Sequence, residues 1–145
     1  MKQSVCLYFK VHQPFHLKAY TVKEVGINHC YIDEKADEIA INKLADESYL
    51  RANSIILSNI KKKEGRFKLS YSITGTAVEL LLKYCSDVVD SFKELVNTGS
   101  VEILAETYYH SLSFLHSKKE FEIALIKEQI KKRKLYYIPQ THNVY

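Results

Sequence analysis

The sequence has 145 residues and a mass of 16.9 kDa, which is the size of a single domain. Hydrophobic residues make up 46% and charged residues 26% of the chain, so neither a disordered tail nor a fibre is expected. The formal charge of +4 at pH 7 is too small to indicate a nucleic-acid-binding protein.

The first predicted element is a β-strand over residues 5–11, where β-branched and aromatic residues follow one another. His12 and Gln13 come next, and Pro14 ends the strand because proline has no backbone N–H for the ladder. Residues 15–33 contain scattered aromatic residues without a sustained period, which predicts a long loop. Long loops after strands often carry function.

A helical pattern covers residues 34–63, with a break expected near Asp46 and a stop at Gly65. Apolar and polar residues then alternate from residue 67 to residue 74. This period of two predicts a second strand, which ends at Gly75.

Two further helices are predicted over residues 76–84 and 87–96. Ser86 is a candidate N-cap for the second of them, and Gly99 lies in the turn beyond it. Residues 101–106 form the third predicted strand.

The end of the sequence predicts a loop, a helix and an irregular tail. The loop covers residues 107–117, and the helix covers residues 118–134 with an apolar stripe. Residues 135–145 contain a proline and no usable period, and we interpret them as a divergent tail. Because no linker separates two cores, residues 1–145 predict one domain.

The order of these elements is typical of parallel βαβ units with right-handed crossovers. We therefore predict an α/β fold with about three β/α units and parallel strands. Ligands in such folds bind beyond the carboxyl ends of the strands. Here those ends are residues 12–14, 74–76 and 106–110.

The sequence contains few signals of where in the cell the protein is located. No apolar run approaches the roughly 18 residues of a membrane span, and the run over residues 5–9 is shorter than the roughly 7–15 residues of a secretory signal core. Cys6, Cys30 and Cys85 are widely spaced and form no CxxC motif, which favours reduced thiols and a cytoplasmic location. Cys6 and Cys85 lie in apolar runs and are expected in the core.

The third predicted strand carries two carboxylates on one face. Because side chains alternate along a strand, Glu102, Leu104 and Glu106 share a face opposite to Val101 and Ile103. The apolar face is expected to meet helices, so both carboxylates are expected to point into a barrel interior or a cleft. The alternative for each is plain solvation or pairing with a lysine. We expect Glu102, which lies deeper in the strand, to be the less solvated of the two.

Two histidines are expected at the same end of the sheet. His12 follows the first strand and His110 follows the third, so each can contact a polar ligand or serve as a local structural donor. His12 and His16 are four residues apart, but Pro14 between them excludes the helix on which this spacing binds zinc. No metal site is therefore predicted.

Basic residues cluster at two predicted helix C-termini, residues 61–63 and 131–134. Cations at these ends complement the helix dipole, so solvated helix ends explain them better than a nucleic-acid surface does. We predict neither a nucleic-acid partner nor a membrane partner.

Two segments resemble the signature regions of a known enzyme family. Residues 5–14, with the sequence VCLYFKVHQP, resemble the first signature region of glycoside hydrolase family 57, the α-amylase and 4-α-glucanotransferase group, which centres on His-Gln-Pro. Residues 99–110, with the sequence GSVEILAETYYH, resemble its second signature region. Stretches between them are also similar, so the resemblance covers residues 4–134.

This resemblance implies a (β/α)7 barrel that cleaves or transfers α-glucans with retention, without a metal or another cofactor. The family's glutamate nucleophile and aspartate acid/base lie in later signature regions, so no catalytic residue is assigned in this sequence. The implied partner is an α-glucan or a maltooligosaccharide. Three residues carry over as substrate-binding positions: His12, Glu102 and His110.

The last residues do not match the family. Residues 140–145 contain no carboxylate, and three strands leave a barrel incomplete. We therefore expect an N-terminal fragment that is inactive by itself, and that is marginally stable or associates with itself or with another chain. The alternatives are a small carbohydrate-binding or interaction module, and one half of an enzyme that a separately encoded C-terminal chain completes.

Overall fold

Three parallel strands form one sheet in the part of the chain that the structure describes. This computed structural model covers residues 5–64 and 66–136, with side chains described as far as residue 127. The predicted α/β fold, with about three β/α units and parallel strands, is confirmed. The strands pair in chain order and have these bounds: β1, Tyr8–Val11; β2, Leu69–Ile73; and β3, Val101–Leu104.

Helices connect the strands and follow the last one. Within the described residues, none of them combines the length and the apolar character that crossing a membrane requires. The predicted stop at Gly65 and residues 137–145 of the predicted tail lie outside the described residues. The helices have these bounds: α1, Glu34–Leu44; α2, Leu50–Lys62; α3, Gly75–Tyr84; α4, Ser86–Asn97; and α5, Lys118–Tyr136.

A π-helical turn, Ala45–Tyr49, joins α1 to α2 without interrupting the helical path. This turn lies at the position where a break near Asp46 was predicted. The helical unit begins at Asp33, whose side chain accepts a hydrogen bond from the Ala36 N–H at 3.0 Å. Its buried positions recur every four residues, at Asp37, Ile41, Ala45 and, after the half-buried Tyr49, Asn53.

The apolar face of the sheet packs against the helices. The Tyr71 ring of β2 contacts the Phe92 ring of α4, with centroids 5.3 Å apart and planes at 86°. The Tyr71 hydroxyl donates to Asn53 Oδ1 at 3.2 Å, Asn53 donates to Ser91 Oγ at 2.8 Å, and burial raises the pKa of Tyr71 to about 12. Burial of a side chain such as Phe92 contributes about 1.5–3 kcal/mol. This cluster fixes α2 and α4 on the sheet with its polar atoms satisfied.

Some predicted boundaries and environments are wrong. β1 pairs only from Tyr8, and Cys6 is exposed because it precedes the paired part of an edge strand, whereas Cys85 is buried as expected. Ser86 is the first residue of α4, and Cys85 takes the N-cap position without a side-chain hydrogen bond to the first turn of that helix. β3 ends at Leu104, two residues before the predicted end.

Backbone contacts hold the predicted loop over residues 15–33. Leu17 and Ile32 form an isolated antiparallel bridge, and the Lys18 N–H donates to the Tyr31 carbonyl at 2.9 Å. The segment therefore doubles back on itself before α1, which its scattered aromatic residues did not predict.

Gly75 allows the turn after β2 to approach the segment after β3. It is the first residue of α3, which Thr74 caps by accepting from the Ala77 N–H at 3.5 Å. A Cβ at Gly75 would lie 2.2 Å from a ring carbon of Tyr108, whose side chain is buried. The Thr76 N–H also donates to the Tyr108 carbonyl at 3.3 Å. The two segments that follow β2 and β3 are thereby joined.

We predict that Gly75→Ala destabilises the fold. In an ordinary helix, alanine is favoured over glycine by roughly 1 kcal/mol. At this position the added methyl overlaps the Tyr108 ring, and overpacking of this kind costs about 1–3 kcal/mol. Urea unfolding followed by circular dichroism measures the free energy of unfolding. In a Tyr108→Leu background the same substitution is expected to be close to neutral, and an equal loss in both backgrounds would contradict the steric cause.

Candidate functional site

Polar side chains cover the sheet face opposite the helices. Tyr8 and Lys10 of β1 share this face with Ser72 of β2, and Glu106 reaches it from just after β3. The Tyr8 hydroxyl donates to Ser72 Oγ at 2.6 Å, and the Ser72 hydroxyl donates to Glu106 Oε2 at 3.2 Å. Lys10 Nζ lies 2.8 Å from the same carboxylate oxygen. We call these four residues the Lys10–Glu106 network.

Glu106 is held in its ionised form within this network. Burial by itself raises the pKa of the carboxyl group, but the hydrogen bond and charge of Lys10 oppose it. The Thr107 N–H, 3.3 Å from Oε1, and the Ser72 hydroxyl add to the effect of Lys10, and together they lower the pKa of Glu106. Pairing with a lysine, the alternative considered for Glu106, is therefore what the structure contains.

His12 stands at the end of β1 above a buried hydroxyl group. Its Nδ1 atom lies 3.0 Å from Oγ1 of Thr74, which has no exposed surface. Burial is the largest cause that lowers the pKa of His12, followed by the charges of His110 and Lys10, while Glu106 opposes them. The His12 ring is therefore neutral at about pH 7.

His110 lies beside His12, with ring centroids 4.8 Å apart and planes at 55°. Its backbone has a φ of +54°, and its N–H donates to the Thr107 carbonyl at 3.1 Å. The Nδ1 atom of His110 is 2.7 Å from Lys10 Nζ and 3.6 Å from Glu106 Oε1. The structure thus brings together the two histidines that were predicted at this end of the sheet, which we call the histidine pair. Their role in substrate binding stays a prediction.

Each ring of the histidine pair has one nitrogen in contact with the protein. His12 uses Nδ1 toward Thr74, and His110 uses Nδ1 toward Lys10. Across residues 5–64 and 66–127, no hydrogen bond to Nε2 of either ring is seen. Within the described residues, the two Nε2 atoms are therefore open to a polar ligand, with the opposite side of each ring fixed.

Glu102 lies apart from the histidine pair. It is opposite Ser70 on the polar face of β3, and it is exposed, so the expectation that it is less solvated than Glu106 is wrong. Glu102 lies on an edge strand of the described sheet, whereas Lys10 reaches across β2 to Glu106. No ion pair to Glu102 is seen among the described side chains. Its assignment as a substrate-binding residue stays a prediction.

A further histidine–carboxylate contact was not predicted from the sequence. The backbone N–H and the Nδ1 atom of His16 both lie 2.7 Å from Oδ1 of Asp37, which is 2% exposed. The contact fixes the start of the loop to α1. The sequence did place Asp37 four residues before the apolar Ile41, on the same side of the helix, which would have indicated burial. An acidic residue in a first helical turn is equally typical of a solvated position, so the signal was ambiguous.

The described residues contain no grouping of three or more His, Cys, Asp or Glu side chains that is able to hold a metal ion. His12 and His16 belong to different contacts, one with Thr74 and the other with Asp37. The sequence-based expectation of a site without a metal stays a prediction.

The chain is similar to known proteins in sequence and in fold. The family model described as "Glycosyl hydrolase family 57" matches residues 6–138. A Methanocaldococcus jannaschii protein named "Putative alpha-amylase" is 41% identical over 133 residues, which cover 88% of this chain and 27% of that protein. This chain therefore spans less than a third of the length of that curated relative.

A solved structure shares the fold. The crystal structure of 4-alpha-glucanotransferase from Thermococcus litoralis matches 90% of this chain and 17% of its own chain, with a TM-score of 0.63 and 17% sequence identity. At this level of identity the likeness concerns the fold alone.

We predict that the pKa of His12 lies below its ordinary value of 6.5, because burial and neighbouring positive charges disfavour the imidazolium. The unfolded chain then binds this proton at higher pH than the folded chain, so the free energy of unfolding is expected to decrease as the pH falls through 6.5. An NMR titration of the ring signals, assigned with His12→Gln, measures the midpoint. His110→Gln is expected to raise the midpoint only part of the way, because burial remains. A His12 midpoint at or above 6.5 would contradict this account.

Proposed function

The chain belongs to glycosyl hydrolase family 57, and we propose that its strand ends form one wall of an α-glucan site in a retaining hydrolase or transferase. The observation that carries the proposal is the histidine pair, in which Nδ1 of both rings contacts the protein and Nε2 has no partner among the described side chains. The (β/α)7 barrel implied by the family resemblance is part of this proposal, with β1, β2 and β3 as its first strands.

The groups at this wall suit a neutral, hydroxyl-rich ligand. Sugar hydroxyls both donate and accept hydrogen bonds, and a neutral imidazole offers either role at its free nitrogen. The lowered pKa of His12 keeps that ring neutral at about pH 7. Tyr109, which is 54% exposed beside His110, offers an aromatic surface for a sugar face. On the same polar face, Glu102 offers a carboxylate to hydroxyl donors.

We propose that residues other than His12, His110, Glu102 and Glu106 cleave the glycosidic bond. Retaining glycosidases place two carboxyl groups about 5–5.5 Å apart, one an ionised nucleophile and the other a protonated acid. Glu106 does not suit the acid role because its pKa is lowered, and both of its oxygens already accept hydrogen bonds from the protein. We propose that Glu106 has a supporting role and that this chain does not turn over α-glucans by itself. Its proposed substrate-binding residues are His12, Glu102 and His110.

A reducing, cytoplasmic setting is part of the proposal. All three cysteines are free, and Cys6 and Cys30 are exposed. Exposed free thiols persist where the compartment keeps them reduced.

We predict that the full chain binds maltoheptaose weakly and releases no reducing sugar from amylose. Binding is measured by the shifts of the histidine ring signals in NMR during a titration with maltoheptaose. His12→Ala and His110→Ala are each expected to remove most of the response, because each deletes one free Nε2 group from the wall.

Two controls test whether the response comes from specific binding at this wall or from nonspecific contact with sugar. His29→Ala removes an exposed histidine of the loop, whose ring contacts Tyr31, and it is expected to leave the titration unchanged. A β-linked glucan oligomer of equal length is the ligand control. Hydrolysis of amylose that Glu102→Gln or Glu106→Gln abolishes would contradict the assignment of catalysis to other groups. Absence of any maltoheptaose response would contradict the proposed function.

The sheet has two open edges within the described residues. β1 and β3 each pair on one side only, and the polar face of the sheet is partly exposed. Parallel sheets are normally covered on both faces, and open edges are prone to pair with further strands. We propose that a complementary chain or a second copy covers them.

Sedimentation velocity of the purified chain, alone and at increasing concentration, tests this association. We expect the sedimentation coefficient to rise with concentration, because the open edges and the polar face gain partners. A monomer at every concentration that also unfolds cooperatively would contradict this part of the proposal.

A further inference from the structure

Lys10 joins the Lys10–Glu106 network to the histidine pair. Its ammonium group lies 2.8 Å from Glu106 Oε2 and 2.7 Å from His110 Nδ1, and its side chain is 31% exposed. A lysine ammonium has three donors and no acceptor. The contact with His110 is therefore a hydrogen bond only when Nδ1 of that ring carries no proton.

The competing arrangement is a proton on Nδ1 of His110 that is donated to Glu106. The distance from Nδ1 to Glu106 Oε1 is 3.6 Å, which is beyond a normal hydrogen bond, whereas the distance to Lys10 is 2.7 Å. Glu106 already accepts from Lys10, from Ser72 and from the Thr107 N–H. The geometry therefore favours the arrangement in which Lys10 donates to His110.

Two features hold Lys10 and His110 in this relation. Glu106 fixes the ammonium group from one side. The Glu106 carboxylate in turn accepts from Ser72, to which Tyr8 donates. The backbone of His110 is held at a positive φ, which is uncommon for a residue with a side chain, and the segment before it is joined to Gly75 through Tyr108. The ring is thus restrained both at its backbone and at Nδ1.

We propose that Lys10 is a positioning residue that fixes His110 in the tautomer with the proton on Nε2, so that this ring presents a hydrogen-bond donor beside His12. The inference rests on the proposed function in one respect, namely that the group which receives this donor is a hydroxyl of an α-glucan. The tautomer itself is independent of the ligand. Lys10 acts through His110 and does not itself contact the sugar in this proposal.

The experiment is a two-bond ¹H–¹⁵N correlation spectrum of the full chain labelled at its histidine rings, recorded at about pH 7. His110 is assigned by His110→Gln. In the unsubstituted chain we expect the nitrogen signals of an Nε2–H tautomer, with Nδ1 as an acceptor. Lys10→Met removes the donor and is expected to give a mixture of tautomers. Lys10→Arg also has donors and no acceptor, so it is expected to retain the Nε2–H form.

A matched control is Lys93→Met, because Lys93 makes an ion pair of the same length, 2.8 Å, with Asp90 on α4. It is expected to leave the His110 signals unchanged. A proton on Nδ1 of His110 in the unsubstituted chain would overturn the proposal, whether or not the variants fold. An unchanged tautomer in folded Lys10→Met would overturn it as well.

The maltoheptaose titration separates this inference from the proposed function. Loss of one fixed neutral donor is expected to weaken binding about 3- to 10-fold in Lys10→Met, with Lys10→Arg close to the unsubstituted chain. Equal affinity in Lys10→Met, together with a changed tautomer, would overturn the link between Lys10 and the ligand. An unsubstituted chain that has the Nε2–H tautomer and does not bind maltoheptaose would leave the role of Lys10 toward His110 supported and contradict the proposed function.

Discussion

The parallel register of the three strands decides which side chains meet on the polar face of the sheet. A slip by one residue in β1 would turn Lys10 toward the helices and bring apolar neighbours to the polar face. The ammonium group would then be lost to both Glu106 and His110. Packing behind the sheet resists this slip, because Val11 is buried there and the Phe9 ring contacts the Tyr71 ring with centroids 5.5 Å apart. The apolar side of the sheet thus sets the electrostatics of its polar side.

The sequence was sufficient to predict the strands and helices, and the end of the sheet at which His12 and His110 meet. A run of β-branched and aromatic residues ended by proline predicted the first strand, and period-two alternation predicted the second. The order of elements predicted their parallel arrangement, which brings His12 and His110 to one end of the sheet. The partners of these residues were not predictable, because Lys10 and His110 are separated by 100 positions and by a central strand. Glu102 shows a related limit. Depth along a strand does not determine burial when the strand lies at the edge of the sheet.

The charges and burial at this end of the sheet favour a neutral ring at His12. Glu106 and Lys10 neutralise each other, and the pKa of His12 is lowered by burial and by the positive charges beside it. In the proposed site, these groups have their orientation set before a ligand binds, which would reduce the entropy lost on binding. In this arrangement Glu106 serves to hold Lys10, so its place beside the histidine pair does not by itself imply a catalytic role.

The π-helical turn at Ala45–Tyr49 has a consequence for how the sequence between β1 and β2 tolerates change in length. The buried row from Asp37 to Asn53 advances by four residues at each step, whereas an α-helix completes a turn in about 3.6 residues. The wider π-helical turn compensates for part of this mismatch, so the buried row of α1 continues on the inward side of α2. Deleting one residue within the turn would restore an ordinary helix but rotate α2 by about 100° about its own axis relative to α1. Asn53 would swing away from Tyr71, so this single extra residue sets the helical phase on which the buried hydrogen bonds behind the sheet depend.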